Sequence, residues 1–203
     1  MKIIIALALS AVVTATALVS TQSKAVRVRI QTELGDIVIE VDPVKAPLTT
    51  ANFLKYVDAG HYDGGIFHRT VRLDNQPESP VKIEVIQAGV NPARAKEGFP
   101  AIPLERTSVT GLLHKDGAVS MARGGPDSAT SGWFICINDQ PSLDFGGNRN
   151  PDGQGFAAFG HVVTGMDVVR KIQNAPSSTT RTTNTEAQRL TPPIKIIKVA
   201  RVS

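Results

Sequence analysis

A single cysteine, Cys136, stands in the 203 residues, so no disulfide can form within the chain. It sits in the apolar run 133–137 and reads as a small buried hydrophobe, which permits an oxidising compartment without requiring one. Clustered positive charge is also missing. Lys and Arg are dispersed, with no five-residue cluster, which argues against a nucleic-acid partner. His61, His68, His114 and His161 include no pair at metal-ligand spacing, so no metal site is expected. The stretch NRNPDG (148–153) begins like a calcium loop, with Asn148, Asn150, Asp152 and Gly153. Phe159, however, stands where the closing glutamate belongs, and Pro151 stiffens the middle, so the stretch reads as a turn-rich surface loop. Ser120 and Ser131 lack a G-x-S-x-G context, and the glycine pairs lack phosphate-loop spacing. Acid–base, nucleophilic and metal chemistry all come up short.

The first 25 residues stand apart. Lys2 is followed by an apolar run over 3–19, and Ser23-Lys24-Ala25 has the small-x-small pattern that precedes signal-peptide cleavage. An uncleaved anchor is the alternative. The run is near the lower limit for a spanning helix and contains Ser10, Thr14 and Thr16, which favours export. Removing this leader also removes Lys2 and Lys24, leaving 20 Lys+Arg against 18 Asp+Glu, a net charge of +2. The pI of about 9.4 therefore overstates the case for an acidic partner.

No repeat or linker divides residues 26–203, which suit one domain with a real core. Period-2 alternation at 26–30 and 37–41, around a Glu33-Leu34-Gly35-Asp36 turn, predicts a hairpin. Ala46-Pro47 opens a helix in which Leu48, Ala51, Phe53, Leu54 and Val57 recur at helical spacing, and Gly60 ends it. Further strands are expected at 66–71, 81–87, 118–121, 133–137, 157–163 and 194–202, and a second helix at 166–172. Eight short strands with two helices predict a mainly β fold, a barrel or a sandwich. A closed barrel would leave no strand edge unpaired. Long polar loops fall at 72–80, 91–117, 138–155 and 174–193, the last Ser/Thr-rich and expected to be mobile.

The stretch GGIFHRT (64–70) then raises a question of chemistry. Arg69 ends an apolar strand, yet arginine keeps its proton near neutral pH and is a poor general base. One reaction needs no base, nucleophile or metal: rotation about a peptide bond to proline. Its barrier of about 18–20 kcal/mol comes from amide resonance. In the twisted transition state the prolyl nitrogen regains a lone pair, which a fixed donor binds better than it binds either planar form.

The motifs Ile66-Phe67-His68-Arg69, Gln87-Ala88-Gly89, SMARGGPDSATSGWFICI (120–137), Leu143-Asp144 and FAAFGHVVTGMDVV (156–169) together resemble a cyclophilin-type peptidyl-prolyl cis–trans isomerase. The resemblance runs in order over the whole of 26–203. It implies a closed eight-stranded antiparallel β-barrel capped by two α-helices, acting on proline-containing polypeptides without a cofactor. It also implies that Arg69 is catalytic, that Gln87 bonds the substrate backbone and steadies Arg69, and that Ala122 and Arg123 hold the backbone before the proline. Phe134 would floor the proline pocket and Leu143 would wall it. An exported monomer is expected, periplasmic in the first place and secreted in the second, with no membrane insertion once the leader is removed.

Several positions depart from the family pattern. Glu84 stands where a pocket phenylalanine is usual, so Val85 is expected to line the pocket instead, and Glu84 could weaken Arg69 by pairing with it. Gly132 replaces a glutamine, Ser142 stands at or near a tryptophan position, and Phe156 replaces a histidine while still closing an apolar pocket. The last two changes imply weak cyclosporin binding. The connection 70–86 is longer than usual. These departures leave a low-turnover binding or chaperone module on the same barrel as the alternative to an isomerase.

Overall fold

The computed structural model describes residues 25–180 and 183–202, so the expected leader lies outside the described residues apart from Ala25. Alternation builds the opening hairpin. In β1 (Val26–Thr32) and β2 (Gly35–Val41), Val28, Ile30, Ile37, Ile39 and Val41 are fully buried, while Arg27, Arg29 and Asp36 face outward. Thr32 Oγ donates to the Gly35 carbonyl (2.7 Å) and accepts from Leu34 N (3.1 Å), closing the turn. Gly35 is required there, since its φ is +129° and a Cβ would press on Val168 at 3.0 Å.

The helix α1 (Pro47–Asp58) starts with proline at its first turn, and its open N–H groups are capped from afar. Glu105 accepts from Leu48 N (3.0 Å) and Thr49 N (2.7 Å). Leu48 and Ala51 are exposed, against the periodic reading, because the aromatic pair Phe53 and Tyr56 sets the helix's rotation toward the barrel. The remaining elements are β3 (Ile66–Val71), β4 (Val85–Gly89), α2 (Thr107–Thr110), β5 (Ala118–Met121), β6 (Trp133–Cys136), β7 (Ala157–Thr164), α3 (Met166–Gln173), α4 (Asn184–Ala187) and β8 (Arg189–Val202). The eight strands close into a barrel in the order β1-β2-β7-β5-β6-β4-β3-β8, every neighbour antiparallel. At the β2–β7 crossing only Gly160 fits, because a Cβ would run into the Glu40 carbonyl oxygen.

Two elements start elsewhere than alternation suggests. β4 begins at Val85 rather than residue 81, because side chains take up the preceding backbone groups. Gln76 accepts from Ile83 N (3.1 Å) and donates to its carbonyl (2.8 Å). β8 begins at Arg189 rather than residue 194. Its register on β3 jumps from Phe67↔Ile194 to Arg69↔Arg189, so Pro192 and Pro193 fall where no ladder donor is needed. The stretch 174–193 thus contains a short helix and the first residues of a strand, with Ser178 N donating to Arg189 O and Thr191 N to Pro176 O.

The core divides in two. The barrel interior packs Ile30, Phe67, Ile86, Trp133, Ile135 and Phe159 around Phe53, whose ring lies 5.1–6.0 Å from those of Tyr62, Trp133 and Phe159. A smaller cluster on the outer face of the same strands gathers Val71, Ile83, Val85, Phe134, Cys136 and Leu143, with Ala122 and Phe156 against it. Period 2 explains the split. In β4 and β6, Ile86, Trp133 and Ile135 point inward, and Val85, Gln87, Phe134 and Cys136 point outward.

Candidate active site

Strict alternation along β3 would place Arg69 on the same side as Phe67, inside the barrel. A β-bulge at His68 prevents this. Phe67 pairs with Ala88 and Arg69 with Gln87, so two steps on β3 oppose one on β4. The extra residue re-aims Arg69 to the outer face, beside Gln87 and the smaller apolar cluster. Burial, and then the adjacent Arg69 charge, lower the pKa of His68 from its ordinary value and so favour the neutral ring.

Arg69, Val85, Gln87, Ala122, Arg123, Phe134, Leu143 and Phe156 all line one cavity of about 200 Å³, joined by Ile83, Arg149 and Asn150. That is below the usual size of a small-molecule site, about 300–1,000 Å³, and suits a single ring-sized group. Its floor is Phe134, with Phe156 edge-on at 5.4 Å and 90°. Behind the floor the His114 ring stacks on Phe134 at 6.0 Å. His114 Nδ1 lies 2.7 Å from Asp144 Oδ1, and its Nε2 lies 2.9 Å from Ser120 Oγ. The order Asp–His–Ser is that of a hydrolytic triad. Here, however, Ser120 is fully buried, and no acyl group can reach it. The three residues brace the floor instead.

Arg69 is held by two neutral amides. Its Nη1 donates to Gln87 Oε1 (2.8 Å), and its Nε and Nη2 donate to Gln188 Oε1 (2.8 and 2.6 Å). Gln188 is fully buried and is oriented in turn by the 72–80 connection, its Nε2 donating to the Asn75 carbonyl (3.1 Å). Asn75 is itself tied to Arg72 N and the Thr70 carbonyl. Three of the five guanidinium N–H groups are used, leaving one on Nη1 and one on Nη2. Burial, and then the charge of Arg149, pull the pKa of Arg69 down to about 10. It remains protonated at neutral pH.

Arg123 lines the cavity but is not available as a donor. Its guanidinium is forked to Asp152 (2.8 and 2.9 Å), donates to the Gly155 carbonyl (2.8 Å) and lies over the Phe156 ring. The side chain therefore pins the 150–156 loop, leaving only the Ala122–Arg123 backbone for a ligand. Glu84 is turned away from Arg69, accepting from Asn138 Nδ2 (2.9 Å) and Gln173 Nε2 (3.1 Å). The pairing that could have weakened Arg69 is absent.

The family model described as "Cyclophilin type peptidyl-prolyl cis-trans isomerase/CLD" matches residues 27–201. The chain belongs to the cyclophilin family of peptidyl-prolyl cis–trans isomerases. A peptidyl-prolyl cis-trans isomerase of Acinetobacter baylyi is 40% identical over 153 residues, 75% of this chain and 74% of that one. Peptidyl-prolyl cis-trans isomerase B of Escherichia coli is 37% identical over 147 residues, 72% of this chain and 83% of the relative. The barrel also matches the crystal structure of a Cryptosporidium parvum cyclophilin type isomerase, with a TM-score of 0.68 at 23% identity, covering 89% of this chain and 99% of that one.

Within this cyclophilin barrel the positions that depart from the family pattern do not crowd the cavity. A Cβ on Gly132 would meet only Ala122 Cβ at 3.5 Å and the Ala88 carbonyl at 3.9 Å, so its absence opens the groove beside Ala122. Ser142 lies on the short turn Pro141–Leu143, where its carbonyl accepts from Arg149 N (3.1 Å). Sequence reasoning missed Gln188, Arg149 and Asn150. Arg149 and Asn150 fall in the stretch read as a surface loop. Gln188 is a lone amide 119 residues from its partner, with no local pattern to mark it.

Proposed function

We propose that this isomerase turns X-Pro bonds of exported polypeptides through Arg69, with the proline ring seated on Phe134 between Phe156, Leu143 and Val85. The observation that carries the reading is a largely buried guanidinium with no carboxylate partner among the described residues. It is fixed by Gln87 and Gln188 on a ring-sized apolar cavity. Neutral amide oxygens orient Arg69 without neutralising it. A carboxylate in their place would compete for the charge that the prolyl nitrogen needs.

The step makes and breaks no bond. As the amide twists, the prolyl nitrogen becomes pyramidal and accepts one of the two N–H groups of Arg69 left over on Nη1 and Nη2. That contact forms only in the twisted state, so it lowers the barrier rather than the ground state. Gln87 spends its Oε1 on Arg69, and its Nε2 is left for a substrate carbonyl. The Ala122–Arg123 backbone holds the residue before the proline. A Cryptosporidium parvum relative has been crystallised in the presence of the dipeptide Ala-Pro, which supports a proline ligand on this fold.

Exchange spectroscopy on a short X-Pro peptide tests the reading, because an isomerase speeds interconversion whereas a binder only shifts or broadens signals. Residues 1–25 would direct the chain to a periplasm-like space, where it works as a monomer. N-terminal sequencing of the envelope fraction, expected to start at Val26, tests that part.

A further inference from the structure

Three guanidinium groups line the cavity, and only one is neutralised. Arg123 has Asp152, whereas Arg69 is held by amide oxygens and Arg149 by a single carbonyl, its Nη1 donating to Val81 O (2.5 Å). Among the described residues the Nε and Nη2 of Arg149 make no hydrogen bond, and no Asp or Glu lines the cavity. Of the acids close in sequence to Arg149, Asp144 is spent on His114 and Asp152 on Arg123, and Glu84, beside the Val81 end of β4, is spent on Asn138 and Gln173. Half-buried, uncompensated like charges are costly, and a carboxylate from a ligand would relieve them through a two-pronged guanidinium contact. Arg149 is also close enough to depress the pKa of Arg69, so the two charges share one environment.

Position settles where the carboxylate belongs. Ala122 N bonds the Gly132 carbonyl, before the start of β6, whereas Arg149 is tied to Val81, which leads into β4 opposite the Cys136 end. A segment whose pre-proline residue runs along Ala122–Arg123 leaves the pocket toward Arg149. We infer that Arg149 is a subsite for a carboxylate on the C-terminal side of the substrate proline, so that the enzyme prefers X-Pro segments followed by an acidic residue. This rests on the placement of the proline proposed above.

The test compares blocked Ala-Ala-Pro-Glu-Ala and Ala-Ala-Pro-Gln-Ala peptides by kcat/KM and, independently, by calorimetric Kd. At low ionic strength the Glu peptide should be favoured about fivefold, the scale of a partly exposed ion pair. The ratio should fall toward one in 1 M salt, where the Debye length is about 3 Å. Arg149→Gln should bring it to about one, and Arg149→Lys should keep part of it. Because each ratio is taken within one variant, a reduced yield of folded protein does not affect it. Equal preference in the parent, or a preference that survives Arg149→Gln, would overturn the inference alone. Failure of both peptides to bind or turn over would overturn the proposed function, and this inference with it.

Discussion

The barrel interior and the outer-face cluster are built from the same strands, yet they obey different rules. Inside, Ile86, Trp133, Ile135 and Phe67 form a buried aromatic–aliphatic core. Outside, Val85, Phe134 and Leu143 form a small apolar patch ringed by Arg69, Arg123 and Arg149 and kept open to a ligand. Alternation assigns residues to the two sides, and the bulge at His68 moves Arg69 from one to the other. The division predicts separate effects: changes inside should show in stability and changes outside in rate.

Breaking the interior should have the largest effect. Trp133→Ala removes a fully buried ring packed edge-on against Phe53, Tyr62 and Phe67. It should cost about 3–5 kcal/mol of unfolding free energy in a urea titration. The outer face should respond in rate instead. Gln188→Ala frees two of the three contacts that orient Arg69 and should lower kcat about tenfold, roughly 1.4 kcal/mol, with KM little changed. An equal loss in a variant that also melts early would mean Gln188 belongs to the interior's account.

The pH profile sharpens the same contrast. Arg69 is protonated below its lowered pKa of about 10, so the donor is present throughout the neutral range and lost as pH rises through 10. The value of kcat/KM should be flat from about pH 6 to 9 and then fall tenfold per unit above 10. A limb near pH 6–7 would instead implicate a histidine. The smallest effect expected is on drug binding. Ser142→Trp with Phe156→His should raise cyclosporin affinity several-fold in a fluorescence titration, without a change in melting temperature.

The interior was the legible part of the sequence. Val28, Ile30, Ile37 and Ile39 announce their face by period 2, and Phe53 with Val57 by period 3.6. The outer face was readable only in part, because Gln87 and Phe134 follow alternation but Arg69 follows it only through the bulge. No local signal distinguishes His68 as the extra residue. Gln188 could not be seen in its sequence neighbourhood, since its role depends on the backbone of Asn75 and on a partner in β3. Arg149 looked like loop polarity because its burial comes from chain segments distant in sequence.

The most direct test of the central claim is the isomerisation rate on an X-Pro peptide for the chain from Val26 and for its Arg69→Ala variant, with melting temperatures taken in parallel. The parent should accelerate interconversion strongly, and the variant should lose about a hundredfold, roughly 2.7 kcal/mol of transition-state binding, at an almost unchanged melting temperature. Acceleration that survives Arg69→Ala, or a parent that binds the peptide without speeding its interconversion, would contradict it.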